Sequence, residues 1–475
     1  MLEIILIGPL IVGISIFLLP IRTGRYLMVA TGVWNLGVAV YIWRVQPQAF
    51  LDQYFRLSPE GLLVLLLTSF LFAVVSFYCL GYLEHEKLSK ERFFNGSMLF
   101  FLAAMCMATI ADHVIIFWIA IETTTLASAP LILFNRTKGS LEATWKYILI
   151  CSVGIALALL GTLLMTISLD AVDVESSLFF SEFAKVAGQL DKTWLKAGFV
   201  FILVGYGTKM GLAPMHTWLP DAHSEAASPA SALLSGALLN CAYLGILKTT
   251  NILEAAQLGD FARNVLIGFG LLSVFVSATF IMKQTDYKRL LAYSSIENMG
   301  IIAIGTGVGG IAAYGAMLHL IHHSLIKSSL FLSSGNILLA YGSKLINQTG
   351  NMARQIPKTF FCFMGGFVGI VGFPPFGIFF SELIIILGAF QKGRYFVLGA
   401  LLCFLLFISA GLAKYVISMS FSQTENTARL VEKPLLYLPQ MILLLVSIIL
   451  CFWMPESLSQ VIIQSGTGIV GVLNG

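Results

Sequence analysis

Long apolar stretches run through almost the whole sequence and restrict its fold more than any other feature. A helix that crosses a bilayer needs roughly 20 mostly apolar residues, and about fourteen stretches of this chain have that character. Lipid offers no hydrogen bonds, so the backbone of a spanning segment must satisfy itself, as a helix does. We therefore predict an all-α integral membrane protein with about fourteen transmembrane helices. They lie near residues 2–20, 26–44, 60–83, 93–110, 114–134, 141–168, 195–220, 226–249, 263–282, 291–309, 311–340, 358–390, 395–420 and 435–454.

Composition excludes the common soluble classes. Only 11% of the residues are charged, against about 25% in soluble domains, which argues against soluble enzymes, disordered proteins and nucleic-acid binders. The seven cysteines stand singly in apolar runs, without a C-x-x-C pair, so the sequence predicts no iron–sulfur or zinc site and no cofactor. The first apolar run has no basic leader, so we expect a spanning helix rather than a removable signal peptide.

The distribution of basic residues predicts the orientation. With fourteen crossings both termini lie on one side, and connections on the cytoplasmic side of a membrane are richer in lysine and arginine. If the termini are outside, sixteen of the 28 basic residues fall on cytoplasmic connections and nine on outer ones. We therefore predict both termini on the outer side. The segment 169–196 is the one long acidic connection.

Several ionisable residues lie inside the predicted helices. A charge at mid-membrane costs roughly 2.5–3.5 kcal/mol even on insertion scales, so such residues usually serve a function. Glu122, Lys209, Lys327 and Glu382 each lie several turns from the helix ends. Burial disfavours the charged form of such a group, whereas a nearby opposite charge favours it. A group on which these two effects nearly balance can take up and release protons. Lys414 lies near a helix end, where a side chain that reaches to the interface is the simpler interpretation.

A histidine-rich pattern marks the predicted helix at 311–340. His319, His323 and Lys327 are spaced by four residues and form one stripe about 12 Å long, with His322 beside it. An imidazole can accept on one nitrogen and donate from the other, so this stripe favours a proton relay. A metal site and structurally paired histidines are the alternatives, and one stripe rarely closes a metal coordination sphere.

Two predicted helices contain breaks. Gly211 and Pro214 follow Lys209, and Pro374–Pro375 precede Glu382. Proline interrupts a helix, and a membrane tolerates the break where the backbone lines a cavity or is buried. One break in each half predicts an internally repeated transporter. We divide the chain into a three-helix segment 1–92, a five-helix repeat 93–249, an inverted five-helix repeat 263–420, and a C-terminal helix and tail 421–475.

These motifs resemble a known family. Residues 209–223, KMGLAPMHTWLPDAH, are similar to the signature of the antiporter-like, proton-translocating subunits of respiratory complex I, Mrp antiporters and membrane-bound hydrogenases. Three further motifs resemble this family: the sequence DYKRLLAYSS from Asp286, the stripe from His319 to Lys327, and the Ser381–Glu382 pair. The resemblance covers roughly residues 60–420. Sequences around Glu122, Trp145 and Glu297 are similar to hydrogenase-4 component F and its relatives in formate hydrogenlyase-type complexes.

The resemblance implies a proton pathway. We predict its members from the positions that match the family and from the motifs above. They are Glu122, Lys209, His216, Asn240, His319, His323, Lys327 and Glu382. Several family members carry a lysine where this chain has Asn240, so the group that replaces that charge is open, and Lys248 is a doubtful substitute. Glu122 is expected to pair with Lys209, and Lys327 with Glu382.

The implied function is that of a proton-translocating membrane subunit of a redox-driven complex in a bacterial or archaeal membrane. The chain has no redox motif of its own, so the resemblance implies homologous antiporter-like partners and partner subunits that carry iron–sulfur centres. An Mrp-type sodium/proton antiporter subunit is the alternative, and the sequence does not decide between protons and Na⁺. A membrane-embedded lipid transferase fits less well, because its reactive groups would lie near the interface rather than at mid-helix.

Overall fold

The computed structural model describes residues 2–47, 53–85, 88–170, 178–424, 426–428 and 430–466, with the backbone alone for Leu88, Ser89 and Asp170. Part of the acidic connection, with Asp173 and Glu175, and the end of the C-terminal tail lie outside the described residues. The helices of the first half are α1 Leu2–Ile16, α2 Ile21–Val45, α3 Pro59–Tyr82, α4 Leu88–Ile110, α5 Val114–Ile132, α6 Lys138–Asp170, α7 Phe180–Val186, α8 Lys192–Met210, α9 Trp218–Glu225, α10 Ser228–Leu233 and α11 Leu239–Ala255.

The second half is built in the same way. Its helices are α12 Gly259–Ile281, α13 Tyr287–Val308, α14 Ile311–Tyr341, α15 Met352–Gln355, α16 Pro357–Ile370, α17 Gly377–Gln391, α18 Tyr395–Phe421, α19 Pro434–Phe452 and α20 Glu456–Ser465. Across the described ranges, extended pairing is limited to three isolated bridges between connections. The all-α membrane fold predicted from the apolar stretches is confirmed.

Ten helical segments of the described chain are long and apolar enough to cross a membrane, and all fourteen predicted ranges contain helix. The four predicted ranges that do not match these ten segments are of two kinds. Near 2–20 and 358–390 the helices are short, and α13 and α14 carry many polar side chains. Almost all of α13 and α14 is buried within the bundle, where protein rather than lipid surrounds the polar groups. The number of fourteen crossings stays a prediction.

The first break separates α8 from α9. Helix α8 ends at Met210, and Gly211 follows with φ of +87°, a left-handed conformation that favours glycine. A single 3-10 turn, Met215–Thr217, leads into α9. The indole Nε1 of Trp218 donates to the Thr208 carbonyl at 2.8 Å and so ties the two half-helices together. The free carbonyl is satisfied inside the protein, as a break at membrane depth requires.

The second break separates α16 from α17. Helix α16 ends at Ile370, Gly372 has φ of +74°, and Pro374–Pro375 precede the start of α17 at Gly377. A Cβ atom at Gly372 would collide with the carboxylate of Glu382, so the carboxylate folds back against the break. Both breaks therefore lie where the sequence predicts them, each beside a predicted ionisable residue.

A π-helical segment at Leu234–Leu238 joins α10 to α11, a feature that sequence periodicity did not predict. A π turn widens a helix locally, and such turns occur often at functional sites. It brings Gly236 against α14, where an added Cβ would collide with the Ser328 hydroxyl and lie 3.0 Å from the Ser324 carbonyl. The two halves of the chain are in close contact at this point.

Charged side chains gather at one end of the bundle, here called the salt-bridged end. It is defined by ion pairs between helix ends that are distant in sequence: Arg25–Glu91, Lys146–Asp221, Arg289–Asp221, Lys344–Glu225 and Lys433–Glu84. These connections include most of those predicted to be cytoplasmic. Lys87 and Arg429, which were counted with them, lie outside the described residues.

Candidate functional site

Lys209 is the centre of a buried polar cluster in the first half. Its side chain has no exposed surface, and its ammonium donates to the Thr125 hydroxyl at 2.8 Å and to the Tyr147 hydroxyl at 2.7 Å. The Tyr147 hydroxyl also lies 2.6 Å from the hydroxyl of Ser128. Helices α5, α6 and α8 thus supply a site that holds the ammonium by neutral oxygens.

Glu122 reaches this cluster indirectly. The Thr125 hydroxyl that accepts from Lys209 lies 3.3 Å from Glu122 Oε2, and Ser152 donates to Oε1 at 2.8 Å. In the described part of the chain no ion pair within 4.0 Å joins Glu122 and Lys209, so the two residues meet through the Thr125 hydroxyl rather than in direct contact. Glu122 is only half-buried and sits on the side of the bundle, whereas Lys209 is fully enclosed.

Asn240 connects the two halves. Its side-chain amide donates to the Gly236 carbonyl at 2.9 Å, inside the π-helical segment, and to the Ser324 hydroxyl of α14 at 2.8 Å. Ser324 is the neighbour of His323 in the predicted stripe. Lys248 is not a substitute here, because its ammonium donates to the Ala111 carbonyl at 2.7 Å, near the start of α5.

The predicted stripe of His319, His323 and Lys327 lies on α14 and faces α13. Lys327 is fully buried and donates to the Leu291 carbonyl at 2.7 Å and the Ser294 hydroxyl at 2.5 Å. His323 is fully buried too, and both its ring nitrogens lack a hydrogen-bond partner among the described residues. His322 faces the other way, with Nδ1 3.1 Å from the Ser447 hydroxyl of α19.

His319 links α14 to both α13 and α17. Its Nε2 is 2.9 Å from Asn298 Oδ1, and its Nδ1 is 3.0 Å from the Ser381 hydroxyl. The Asn298 amide nitrogen donates to the Ser294 carbonyl, which fixes Oδ1 as the atom that faces the ring. Nε2 therefore carries the proton, and Nδ1 can accept one on the side of Ser381.

Glu382 follows Ser381 and is half-buried at the side of the bundle. No ion pair within 4.0 Å joins it to Lys327 among the described residues, so this expected pair is also not direct. Glu297, on α13, is more deeply buried than Glu382. In the sequence analysis Glu297 served only to show similarity to one branch of the family. The second half therefore contains a buried carboxylate, Glu297, that the sequence interpretation did not assign to the proton pathway.

His216 lies apart from these contacts. It occupies the turn between α8 and α9 and is buried, with its ring 6.3 Å from that of Tyr293 on α13. The nearby His223, which was quoted only as part of a motif, is enclosed more completely. Its ring stacks on Phe331 at 4.6 Å, and neither ring nitrogen has a partner among the described residues.

A polar cavity opens beside these residues at the salt-bridged end. It has a volume of about 300 Å³ and is lined by Gly139, Glu142, Ala143, Lys146, Asp221, Ser224, Glu225 and Arg289. Ser224 donates to Asp286 at 2.6 Å, and the Lys288 ammonium donates to the Ala226 carbonyl at 2.6 Å. His223 directly precedes Ser224 and Glu225 of the cavity lining, and Lys288 and Lys327 are both within electrostatic range of its ring.

Sequence reasoning missed the hydroxyl and amide groups that join the ionisable residues, among them Thr125, Tyr147, Ser294, Asn298 and Ser324. Such residues are common in buried helices, and only their contacts distinguish them. His322 lies on a different face of α14 from His319 and His323, toward Ser447 of α19. In the described part of the chain no three His, Cys, Asp or Glu side chains converge as metal ligands would.

Comparison with known proteins places the chain among membrane transport subunits. Residues 111–409 match the family model described as "NADH:quinone oxidoreductase/Mrp antiporter, TM". The hydrogenase-4 component F homolog of Methylacidiphilum infernorum (isolate V4) is 36% identical over 396 residues, which cover 81% of this chain and 82% of that protein.

Two solved structures have the same fold. A chain of the membrane-bound sulfane sulfur reductase, described as an archaeal respiratory membrane complex, superposes with a TM-score of 0.87 at 19% identity and covers 99% of this chain and 97% of its own. A chain of the Mrp complex from Dietzia sp. DQ12-45-1b gives a TM-score of 0.86 at 17% identity, with 99% and 97% covered.

Proposed function

This chain belongs to the NADH:quinone oxidoreductase/Mrp antiporter family of membrane subunits, and from that premise we propose that it translocates protons within a redox-driven membrane complex. The observation that carries the proposal is a set of three groups of buried polar contacts. Thr125 joins Glu122 to Lys209, and Asn240 bonds Ser324 on α14. Ser294 and Asn298 on α13 hold Lys327 and His319 of the α14 stripe. An apolar bundle has no structural need for such a set, since each unpaired polar group in it is costly.

The contacts suggest where protons enter. The polar cavity at the salt-bridged end contains exposed charged groups, and His223, next in sequence to its lining, is within electrostatic range of Lys327. An unpaired imidazole in this position can pass a proton inward. In contrast to the buried lysines, Glu122 and Glu382 are half-buried on the sides of the bundle, where neighbouring subunits would contact them.

Partner subunits would supply the driving force. The relative from Methylacidiphilum infernorum is named as a hydrogenase component, which supports a hydrogenase-like assembly with iron–sulfur subunits and further antiporter-like chains. Movement of an opposite charge away from a buried lysine favours release of its proton, and its return favours uptake. Redox chemistry in a partner would move that charge through Glu122 or Glu382.

We also propose the inverted repeat and the orientation predicted above. The repeats are residues 93–249 and 263–420, with the breaks after α8 and after α16 in corresponding helices. The ion pairs of the salt-bridged end support its assignment to the cytoplasm, with both termini outside. Lys138→Cys and Lys185→Cys place thiols at opposite ends, and a membrane-impermeant maleimide applied outside should label only Lys185→Cys.

The test of the function uses the assembled complex in sealed vesicles. Lys209→Ala should abolish proton uptake while the redox partner keeps measurable activity. Lys414→Ala is the matched control, because Lys414 is an exposed helical lysine whose ammonium lies over the Tyr415 ring and away from the buried contacts. Normal uptake by assembled Lys209→Ala complex would refute the proposal.

The same vesicles address the alternative ion. An Mrp-type sodium/proton antiporter would require Na⁺, and the fold shared with the Mrp chain makes this the second candidate. Redox-driven proton uptake that is equal in Na⁺-free and Na⁺-containing buffer supports protons as the coupling ion. Uptake that stops without Na⁺ would favour the antiporter.

A further inference from the structure

Glu297 is a buried carboxylate that the pathway above does not use. It lies on α13 with 3% of its surface exposed, and its Oε2 atom has no hydrogen-bond partner among the described residues. A buried acceptor without a partner costs roughly 1–3 kcal/mol, and more when it is charged. A carboxylate that served only to hold helices together would be expected to have both oxygens bonded.

The neighbours of Glu297 on α13 are the groups that hold the α14 stripe. Ser294, three residues earlier on the same face of the helix, accepts from Lys327, and Asn298 bonds His319. His319 in turn contacts Ser381, which precedes Glu382. Glu297 therefore lies on a helix that packs against both α14, which carries Lys327, and α17, which carries Glu382.

The charges that act on Glu297 are those of these same two residues. Glu382 and Lys327 are both within electrostatic range of its carboxyl group, on α17 and α14, and the buried His319 and His323 lie on the same face of α14. Lys327 donates only to neutral oxygens, so its charge has no carboxylate in direct contact. Ionised Glu297 and Glu382 would place like charges close together, whereas Lys327 places an opposite charge near Glu297.

We propose that Glu297 is a proton-accepting residue between Lys327 and Glu382. A proton leaves the Lys327 ammonium, which becomes the neutral amine, and binds the Glu297 carboxylate, which becomes the carboxylic acid. The acid then gives the proton to the Glu382 carboxylate and regains its negative charge. The number of protons is conserved in each step, and the three groups titrate together rather than singly. This inference rests on the proposed function, because it assigns a step within that transport.

The first test compares Glu297→Gln with wild type in the assembled complex. The amide has nearly the shape of the carboxyl group but cannot take up a proton under these conditions, so proton uptake should fall about tenfold or more while redox activity remains. Glu91→Gln is the matched control: Glu91 is equally buried but pairs with Arg25 at the salt-bridged end, so its loss should lower stability rather than uptake per assembled complex.

The second test does not depend on how well Glu297→Gln assembles. Redox-induced infrared difference spectra of wild type should contain a carboxyl C=O band, which Glu297→Asp shifts in frequency and Glu297→Gln removes. Unchanged uptake in Glu297→Gln, or a band that neither variant alters, would overturn the role of Glu297. If wild type pumps and Lys209→Ala does not, such a result leaves the proposed function intact; if wild type does not pump, the function itself fails.

Discussion

The side-chain amide of Asn240 donates a 2.8 Å hydrogen bond to the hydroxyl of Ser324, and this bond joins the two halves of the chain. The family resemblance noted in the sequence implies a lysine at the position of Asn240 in several other members. Here a neutral amide takes that place, held by the Gly236 carbonyl in a π-helical segment. Its Oδ1 atom has no partner among the described residues and so can accept from water.

Asn240→Leu should uncouple the two halves. Leucine has a similar size and cannot donate to Ser324, so proton uptake should fall by about tenfold while the fold is kept. Proton uptake into vesicles, divided by the amount of assembled complex, measures this fall. Asn35→Leu removes another fully buried amide, on α2 beside Cys106, and should leave uptake unchanged. Equal uptake by Asn240→Leu and wild type would mean that the bond is structural.

Tyr147→Phe should slow transport without unfolding the protein. It removes the hydroxyl that accepts from Lys209 but keeps the ring, which packs 4.9 Å from that of Trp218. The lost hydrogen bond involves a charged donor and is worth about 1.5–3 kcal/mol of stability. Tyr243→Phe is the control, since it removes an equally buried hydroxyl that bonds Thr306 instead. Transport rates and melting temperatures of both variants distinguish a role in transport from a general loss of stability.

On α14, Lys327→Ala and His323→Ala should stop transport, and His322→Ala should be tolerated better. His322 contacts Ser447 on α19 and packs against Gly377, so its removal leaves a cavity rather than a gap in the stripe. Uptake assays at equal assembly make the comparison. A larger loss of transport in His322→Ala than in Lys327→Ala would contradict the relay.

Glu382→Asp and Glu382→Gln should differ in transport. Aspartate keeps the charge and shortens the side chain by one methylene group, so partial uptake is expected. Glutamine keeps the shape and removes the charge that acts on Glu297 and its neighbours, so the cycle should stall. Both variants are assayed at equal assembly levels. Full uptake by Glu382→Gln would reduce Glu382 to a structural hydrogen-bonding residue.

Gly161→Ala should destabilise the bundle. Helices α6 and α8 approach so closely that a Cβ at Gly161 would lie 2.7 Å from the Gly198 carbonyl oxygen and from the Ile202 backbone nitrogen. Backbone cannot move aside cheaply, and such overpacking costs about 1–3 kcal/mol. Thermal unfolding in detergent measures the loss. Gly268→Ala on α12, where nothing lies within 4 Å of the added atom, should be neutral or slightly stabilising.

The sequence by itself determined the membrane class, the helical fold, both breaks and the ionisable residues of the candidate site. The reason is local. A run of about 20 apolar residues has one stable form in lipid, prolines close to glycines favour a break in a helix, and a charge in an apolar run is conspicuous without any structure. The four-residue spacing of His319, His323 and Lys327 likewise placed them on one helix face, and His322 on another.

Only the tertiary structure decided which groups contact those charges. Thr125, Tyr147, Ser294, Asn298 and Ser324 are ordinary polar residues in a sequence, and each acquires its role from a partner on another helix. How the expected pairs meet was decided in the same way: helix spacing tells which face a residue occupies, but not that the hydroxyl of Thr125, on the same helix as Glu122, lies between Glu122 and Lys209. The burial of Glu297 between two charged groups depends on the packing of α13, α14 and α17, which is set by contacts across the whole bundle rather than by any local pattern.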